Sequence, residues 1–98
     1  GAVIGCGTDS GGATFTVFGR FHEEIECLMD SGFSVLEALQ SATSINARIL
    51  RVDDKLGTIE ARKLADFAVL DGNPVKDTDS LQKICMVVKE GKIIYQQT

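Results

Sequence analysis

Hydrophobic residues recur at three- and four-residue steps over residues 19–31, which predicts an amphipathic helix with acidic residues on its other side. Gly32 follows and can adopt the left-handed conformation that ends a helix. Ser34 and Glu37 have the spacing of a capping box, so a second helix begins there. Apolar and small residues cover more than one stripe of this second helix, which predicts that it packs on two sides.

The pattern changes in the second half and predicts a small β unit. Residues 67–70 form an apolar strand that ends at the turn-forming residues 71–74. Two further apolar runs flank Glu90 and Gly91, which predicts a β-hairpin with Gly91 at positive φ. At the other end of the chain, residues 2–4 are apolar and predict a short buried strand ahead of a glycine-rich loop.

Size and charge exclude several classes of protein. With 98 residues the chain is one small domain, and a complete (β/α)8 barrel of roughly 250 residues does not fit. No apolar run approaches the roughly 18 residues of a membrane span. The net charge of −4 and the lack of a basic stripe predict no nucleic-acid or membrane partner. Because the chain opens without a methionine, in the middle of a predicted strand, we expect it to be a piece of a longer protein.

The cysteines do not predict a metal centre or a disulfide framework. Cys6, Cys27 and Cys85 are widely spaced, and the chain has one histidine. A structural zinc site needs about four such ligands, so this chain alone does not form one. We expect buried, reduced thiols and a reducing, cytoplasmic location.

The loop over residues 7–12 invites two interpretations that its surroundings disfavour. It resembles the nucleophile loop of chymotrypsin-like serine proteases, but Thr8 replaces a glycine and no histidine precedes Ser10. Its glycine spacing also resembles a dinucleotide fingerprint. In that motif, however, a helix begins within the glycines, and here residues 13–18 intervene.

A third interpretation makes Asp9 a ligand of a divalent metal. Asp9 directly follows the predicted strand, and the carboxyl ends of strands are where α/β proteins build their sites. A carboxylate there can ligate a metal and accept a proton from water. An aspartate that only stabilises its own turn is the commoner use of this residue in a glycine-rich loop, and from the loop alone that interpretation is the stronger one.

The whole chain resembles the C-terminal end of amidohydrolase-superfamily enzymes, closest to the imidazolonepropionase-like and Xaa-Pro-dipeptidase-like branch. The order and spacing of several motifs carry the resemblance. These are residues 4–11, 18–24, 34–43, 56–60, 63–66 and 69–74.

The resemblance implies an α/β fragment of a larger fold. Residues 1–52 would be the last strand and closing helices of a TIM-like (β/α)8 barrel, and residues 53–98 would be part of a flanking β-sandwich. By motif match, Asp9 would be a metal ligand and the proton shuttle for the hydrolytic water. The family's remaining ligands, a His-x-His pair, a carboxylated lysine or glutamate and two further histidines, match nothing in this sequence.

The activity implied is hydrolysis of carbon–nitrogen bonds in a small-molecule amide, cyclic amide or dipeptide, using a divalent metal, with zinc expected. We expect the chain alone to bind no metal and to be inactive. The sequence departs from the family pattern at Arg51, where glycine is common, and at residues 61–62, where Pro-Gly is usual. Arg62 therefore predicts altered turn geometry or mild strain.

Other conspicuous residues have ordinary structural interpretations. His22 could contact substrate at the barrel mouth, but a helix-surface histidine beside acidic neighbours is favoured. Ser10 is predicted to be a turn hydroxyl or a partner of Asp9 rather than a nucleophile. The acidic cluster of Glu23, Glu24 and Glu26 is predicted to be a solvated face. The aromatic set of Phe15, Phe18 and Phe21 is predicted to belong to the core.

A hypothesis from a different class is a non-catalytic α+β interaction or structural module. The predicted edges of residues 2–4 and of the β unit would seek partners, which makes a homo-oligomer the expected form.

Overall fold

Helices occupy the first half of the chain and an antiparallel sheet the second. A computed structural model describes residues 1–11 and 18–98. None of the helices in these ranges is long and apolar enough to cross a membrane. The elements are α1 (Phe21–Asp30), α2 (Val35–Ala42), α3 (Ser44–Ile49), β1 (Phe67–Leu70), a 3-10 helix (Thr78–Gln82), β2 (Ile84–Lys89) and β3 (Lys92–Gln96).

Helix α1 ends as predicted, with Gly32 in the left-handed conformation at φ 108°. The amide of Phe33 donates to the carbonyl of Leu28 at 3.1 Å, and the amide of Gly32 donates to Met29 at 3.0 Å. These two bonds form a Schellman motif, which satisfies carbonyls that the helix itself leaves open.

The predicted second helix begins at its capping residue but is divided in two. The Ser34 hydroxyl accepts the Glu37 amide at 3.1 Å, which confirms the cap. At Thr43 (φ −125°, ψ −91°) the backbone leaves the helix, and α2 ends there. The Thr43 hydroxyl donates to the Leu39 carbonyl at 2.8 Å and so occupies an acceptor that a continuing helix would use.

Arginine occupies the left-handed position after α3. Arg51 has φ 58°, the Val52 amide donates to Ala47 at 2.9 Å, and the Arg51 amide donates to Arg48 at 3.1 Å. This is a second Schellman motif, without the usual glycine. Arg62 also has positive φ, at 75°, so this turn keeps the left-handed conformation that glycine favours, and of the two expectations there the backbone supports mild strain.

The sheet has the strand order β1-β2-β3, and every pair is antiparallel. The predicted hairpin is confirmed, with Glu90 at φ 50° and Gly91 at φ 78° in its turn. Asp66, just before β1, accepts the Glu90 amide at 2.7 Å, and the Gly91 amide donates to Ala65 at 3.1 Å. The segment that enters β1 therefore holds the hairpin turn. Strand β3 is exposed along its whole length, and association through strand edges stays a prediction.

The fully buried set is small and consists mainly of short side chains. Helices α1 and α2 are in contact, and Ile25 of α1 and Ala38 of α2 both have no exposed surface. Leu36 is 53% exposed, and packing of the second helix on two sides stays a prediction. The close helix contact uses Ala38 and Ser41, which are buried on a single face.

The predicted aromatic core is also wrong where it can be examined. Phe18 is 80% exposed and Phe21 is 43% exposed, whereas Phe15 lies outside the described residues. Ile25 takes the buried position of α1, and Phe18 precedes the helix. The Phe18 ring lies beside Gly11 instead, 3.1 Å from where a β-carbon on that glycine would sit.

The strand predicted over residues 2–4 is absent from this chain, and the prediction that it is buried is wrong. Val3 is 68% exposed, and residues 1–9 have neither helical nor strand structure. A strand exists through hydrogen bonds to a neighbouring strand. The described strands pair only with one another, so these residues have no ladder to join.

The three cysteines are free thiols, but they are not buried as predicted. Cys27 is exposed, and Cys6 and Cys85 are half-buried. Cys27 follows Ile25 by two positions, which places it on the opposite side of α1 from the buried face. The reducing, cytoplasmic location stays a prediction.

Candidate functional site

Asp9 lies in an exposed loop and has an uncommon backbone conformation. Its φ is 53°, in the left-handed region that few residues other than glycine adopt. Aspartate is one of the residues enriched there, and such conformations cluster at functional sites. Asp9 is therefore an exposed residue in a turn with a defined shape.

The residues on either side of Asp9 close this turn. The hydroxyl oxygens of Thr8 and Ser10 lie 2.6 Å apart, and the Ser10 amide donates to the Thr8 hydroxyl at 3.2 Å. Ser10 thus acts as a turn hydroxyl, in agreement with the sequence prediction. Both contacts span Asp9 and restrict its backbone.

The segment before Asp9 is attached to α3 through Asn46. The Cys6 amide donates to Asn46 Oδ1 at 3.0 Å, and Asn46 Nδ2 donates to the Cys6 carbonyl at 2.7 Å. Sequence reasoning missed Asn46 because a single asparagine has no motif spacing. The available signal was its place inside a predicted helix, where asparagine is a poor former.

Gly5 allows the segment to approach α3 this closely. A β-carbon at Gly5 would lie 2.3 Å from Asn46 Oδ1 and 2.9 Å from Ile49 Cδ1. Real β-carbons do not come that near, so any larger residue would displace the segment or the Asn46 side chain. This glycine serves packing and has no direct role at the site.

The Cys6 thiol beside the loop is not an activated nucleophile. Burial, and then the negative charge of Glu24, raise the pKa of the Cys6 thiol above its ordinary value. A raised pKa keeps the thiol protonated at neutral pH, and the thiolate is the reactive form. Cys6 therefore contributes its backbone to this region.

His22, the second candidate from the sequence, lies in the first turn of α1 and is half-buried. Its predicted acidic neighbour Glu23 pairs with Arg20, whose Nε donates to Glu23 Oε1 at 2.9 Å. All three members of the acidic cluster are half-buried rather than fully solvated. A substrate contact by His22 stays a prediction.

Asp9 fits a divalent metal only as one ligand of a larger set. Within residues 1–11 and 18–98, no group of three histidine, cysteine, aspartate or glutamate side chains could hold a metal ion. An exposed carboxylate oxygen is a suitable donor for zinc and other divalent cations. The donor chemistry is therefore appropriate, and further ligands would have to come from outside the described residues.

An apolar groove between α3 and β1 is the other concave surface of interest, and it offers less chemistry. Leu50, Leu56 and Phe67 are among its lining residues. The carboxylate that borders it, Asp66, is engaged by the Glu90 amide and by Lys89 Nζ at 3.2 Å. The Asp9 loop is the better candidate site.

Comparison with known proteins gives consistent similarities. The model of the amidohydrolase family matches residues 1–94. A Bifidobacterium longum protein assigned as a prolidase is 39% identical with a TM-score of 0.90, and the match covers 96% of this chain and 23% of that one. A Xaa-Pro dipeptidase with bound methionine in its active site is 36% identical with a TM-score of 0.79, over 87% and 21%.

A prolidase complexed with N-methylphosphonate-L-proline is 30% identical with a TM-score of 0.70, and the match covers 83% of this chain and 22% of that one. The chain therefore spans less than a quarter of the length of each of these relatives. No curated protein matches the chain significantly.

Proposed function

Because the chain belongs to the amidohydrolase family, we propose that the protein containing it is a metal-dependent hydrolase of carbon–nitrogen bonds and that Asp9 is its proton-transferring metal ligand. The observation that carries the proposal is the family match over residues 1–94, which includes the whole Asp9 loop. The left-handed, exposed position of Asp9 supports it, because a carboxylate held in this way can reach a ligand.

The architecture proposed is a (β/α)8 barrel with a flanking β-sandwich. Residues 1–52 would close the barrel and residues 53–98 would form part of the sandwich. The division agrees with the elements, since α1, α2 and α3 all precede residue 53 and the three strands all follow it. In a barrel, residues 2–4 would gain neighbouring strands and the burial that they lack here.

Asp9 would have two tasks in the reaction. One oxygen of the carboxylate would bind the metal, for which zinc is the expected ion. When bound, the metal would supply Lewis acidity, which lowers the pKa of a water molecule so that the water becomes a hydroxide-like nucleophile as it gives up a proton. The Asp9 carboxylate accepts the proton as the new C–O bond forms, and returns it to the nitrogen as the C–N bond breaks.

The substrate class proposed is a small amide, with dipeptides ending in proline as the first choice. The relatives support this class, because one is a Xaa-Pro dipeptidase and another binds a proline analogue. Cyclic amides are the second choice. His22 would affect KM rather than kcat if it contacts substrate, and His22→Ala in the full-length protein separates these effects.

The test is hydrolysis of Xaa-Pro dipeptides and cyclic amides by the full-length protein and its Asp9→Asn variant. Removing a positioned proton carrier should lower kcat by about 100-fold or more. Asp71→Asn is the matched control, because Asp71 is also an exposed aspartate outside the helices and strands, with a glycine within two positions, but lies in the sheet half. Wild-type activity in Asp9→Asn, or activity that survives complete metal removal, would contradict the proposal.

The 98-residue chain alone should be inactive. One carboxylate cannot hold a catalytic metal, which takes about three protein ligands. Metal-dependent amide hydrolysis by the purified chain would show that its own residues suffice. A full-length protein that hydrolyses no amide in the presence of zinc would favour the structural-module hypothesis instead.

A further inference from the structure

The Asn46 side chain binds the backbone of Cys6 in the way that a neighbouring strand would. It accepts from the Cys6 amide at 3.0 Å and donates to the Cys6 carbonyl at 2.7 Å. Both backbone groups of one residue are thereby satisfied by one side chain, across 40 positions of sequence. The paired bonds fix both the position and the orientation of this peptide segment.

Helix α3 is a firm support for this contact. Ala47, the next residue along the helix, is buried. Gly57 approaches so closely that a β-carbon on it would lie 2.6 Å from the Ala47 β-carbon. The helix is therefore held by the segment that precedes β1, and a group attached to the helix shares that position.

Only two residues separate Cys6 from Asp9. The contact between the Thr8 and Ser10 hydroxyls closes the turn around Asp9. The backbone before Asp9 is thus fixed to α3, and the backbone around it is closed locally. A catalytic group must be held to within about 0.5 Å of its productive position, which such a two-part restraint can achieve.

We propose that Asn46 is the positioning residue for Asp9, acting through the Cys6 backbone without touching the reacting atoms. The inference rests on the proposed role of Asp9 as metal ligand and proton carrier. The side-chain amide suits this task because it offers one donor and one acceptor side by side. An aspartate at this position would keep the acceptor but place a second oxygen against the Cys6 carbonyl.

The test uses the full-length protein with Asn46→Ala and Asn46→Asp. Mutation of a residue that orients a metal ligand typically weakens metal binding by 10–100-fold. We therefore expect both Asn46 variants to bind zinc at least about tenfold more weakly than wild type. The kcat should fall by a similar factor with little change in KM, because substrate binding is not the step affected. Amide hydrogen exchange over residues 5–11 should become faster.

Asn73→Ala is the matched control for these measurements. The Asn73 side chain also accepts a backbone amide, from Val75 at 3.0 Å, but it lies in the turn after β1. It should leave zinc affinity, kcat and exchange over residues 5–11 within about twofold of wild type. Gly5→Ala places a β-carbon against the Asn46 side chain and so disturbs the contact between Asn46 and Cys6. This variant should also weaken zinc binding, and it tests the inference if the Asn46 variants do not fold.

Wild-type zinc affinity and kcat in folded Asn46 variants would overturn the inference, and so would equal losses in Asn73→Ala. Unchanged exchange over residues 5–11 would also overturn it, because that readout is independent of catalysis. Failure of the proposed function has a different signature, namely an Asp9→Asn variant with wild-type zinc affinity and activity. The two ideas can therefore fail separately.

Discussion

Glycine and alanine should have opposite orders of stability at Arg51, which follows α3, and at Arg48 inside α3. Arg51 is held at φ 58° by two hydrogen bonds that terminate α3, from its own amide and from that of Val52. Arg48 has helical geometry inside α3 and is also exposed. Substitution to glycine and to alanine at these two positions therefore compares a left-handed backbone conformation with a helical one, three residues apart.

The magnitudes follow from the two conformations. A residue with a β-carbon costs about 1–2 kcal/mol in the left-handed region, and glycine loses about 0.5–1 kcal/mol more backbone entropy on folding. Arg51→Gly should then be more stable than Arg51→Ala by about 1 kcal/mol. At position 48, glycine should be less stable than alanine by about 1 kcal/mol, the ordinary helix propensity difference.

Comparing glycine with alanine at each position removes the effect of losing the arginine charge near the helix C-terminus, which is about 0.3–1 kcal/mol. Urea denaturation of the four variants in the full-length protein measures these differences as shifts in midpoint at constant m. If the glycine variant were less stable than the alanine variant at both positions, the reasoning would be refuted. That result would mean that the left-handed conformation at position 51 is not unfavourable for a residue with a β-carbon.

Two further predictions concern a carboxylate and a hydroxyl. The Glu90 amide, with the Lys89 ammonium, holds the pKa of Asp66 below its ordinary value. Its contribution to stability is therefore complete above the unfolded-state pKa of about 4 and is lost as pH falls through the lower folded value, so Asp66→Asn should flatten the acid limb of a stability profile. An unchanged acid limb would contradict this. Ser41 is fully buried, and its hydroxyl has no hydrogen-bond partner among the described residues, so Ser41→Ala should stabilise by about 1 kcal/mol in thermal or urea unfolding. The contrasting control is Ser34→Ala, which removes a cap and should destabilise by about 1 kcal/mol. Equal destabilisation by both serine variants would contradict the assignment of the orphaned hydroxyl.

Features that depend on nearby residues could be predicted from the sequence. Gly32 and the Ser34 cap form hydrogen bonds with residues only a few positions away, and the strands on either side of the Gly91 turn pair Lys89 with Lys92. The residue types at those positions therefore determine the local geometry almost completely. Arg62 differs, because the expectation of a strained turn there came from the resemblance to a family in which glycine is usual, and its φ is 75°.

Features that depend on distant partners could not be predicted in this way. Residues 2–4 have the composition of a buried strand, but burial and strand structure need neighbours that the described chain does not supply. Phe18 likewise has the character of a core residue and is mostly exposed. Asp9 was found through the pattern of its loop, whereas Asn46 supports that loop from 40 residues away and gave no local signal.

The separation between Asn46 and Cys6 also bears on the order of folding. Helix α3 forms from bonds that span a few residues, but anchoring the Asp9 loop closes a 40-residue segment, and this closure costs entropy before the contact compensates for it. The loop should therefore order after the helices and detach before them during partial unfolding. If Asp9 binds a metal as proposed, the helices of a newly synthesised protein would form before Asp9 is positioned, and metal uptake would accompany a late step of folding.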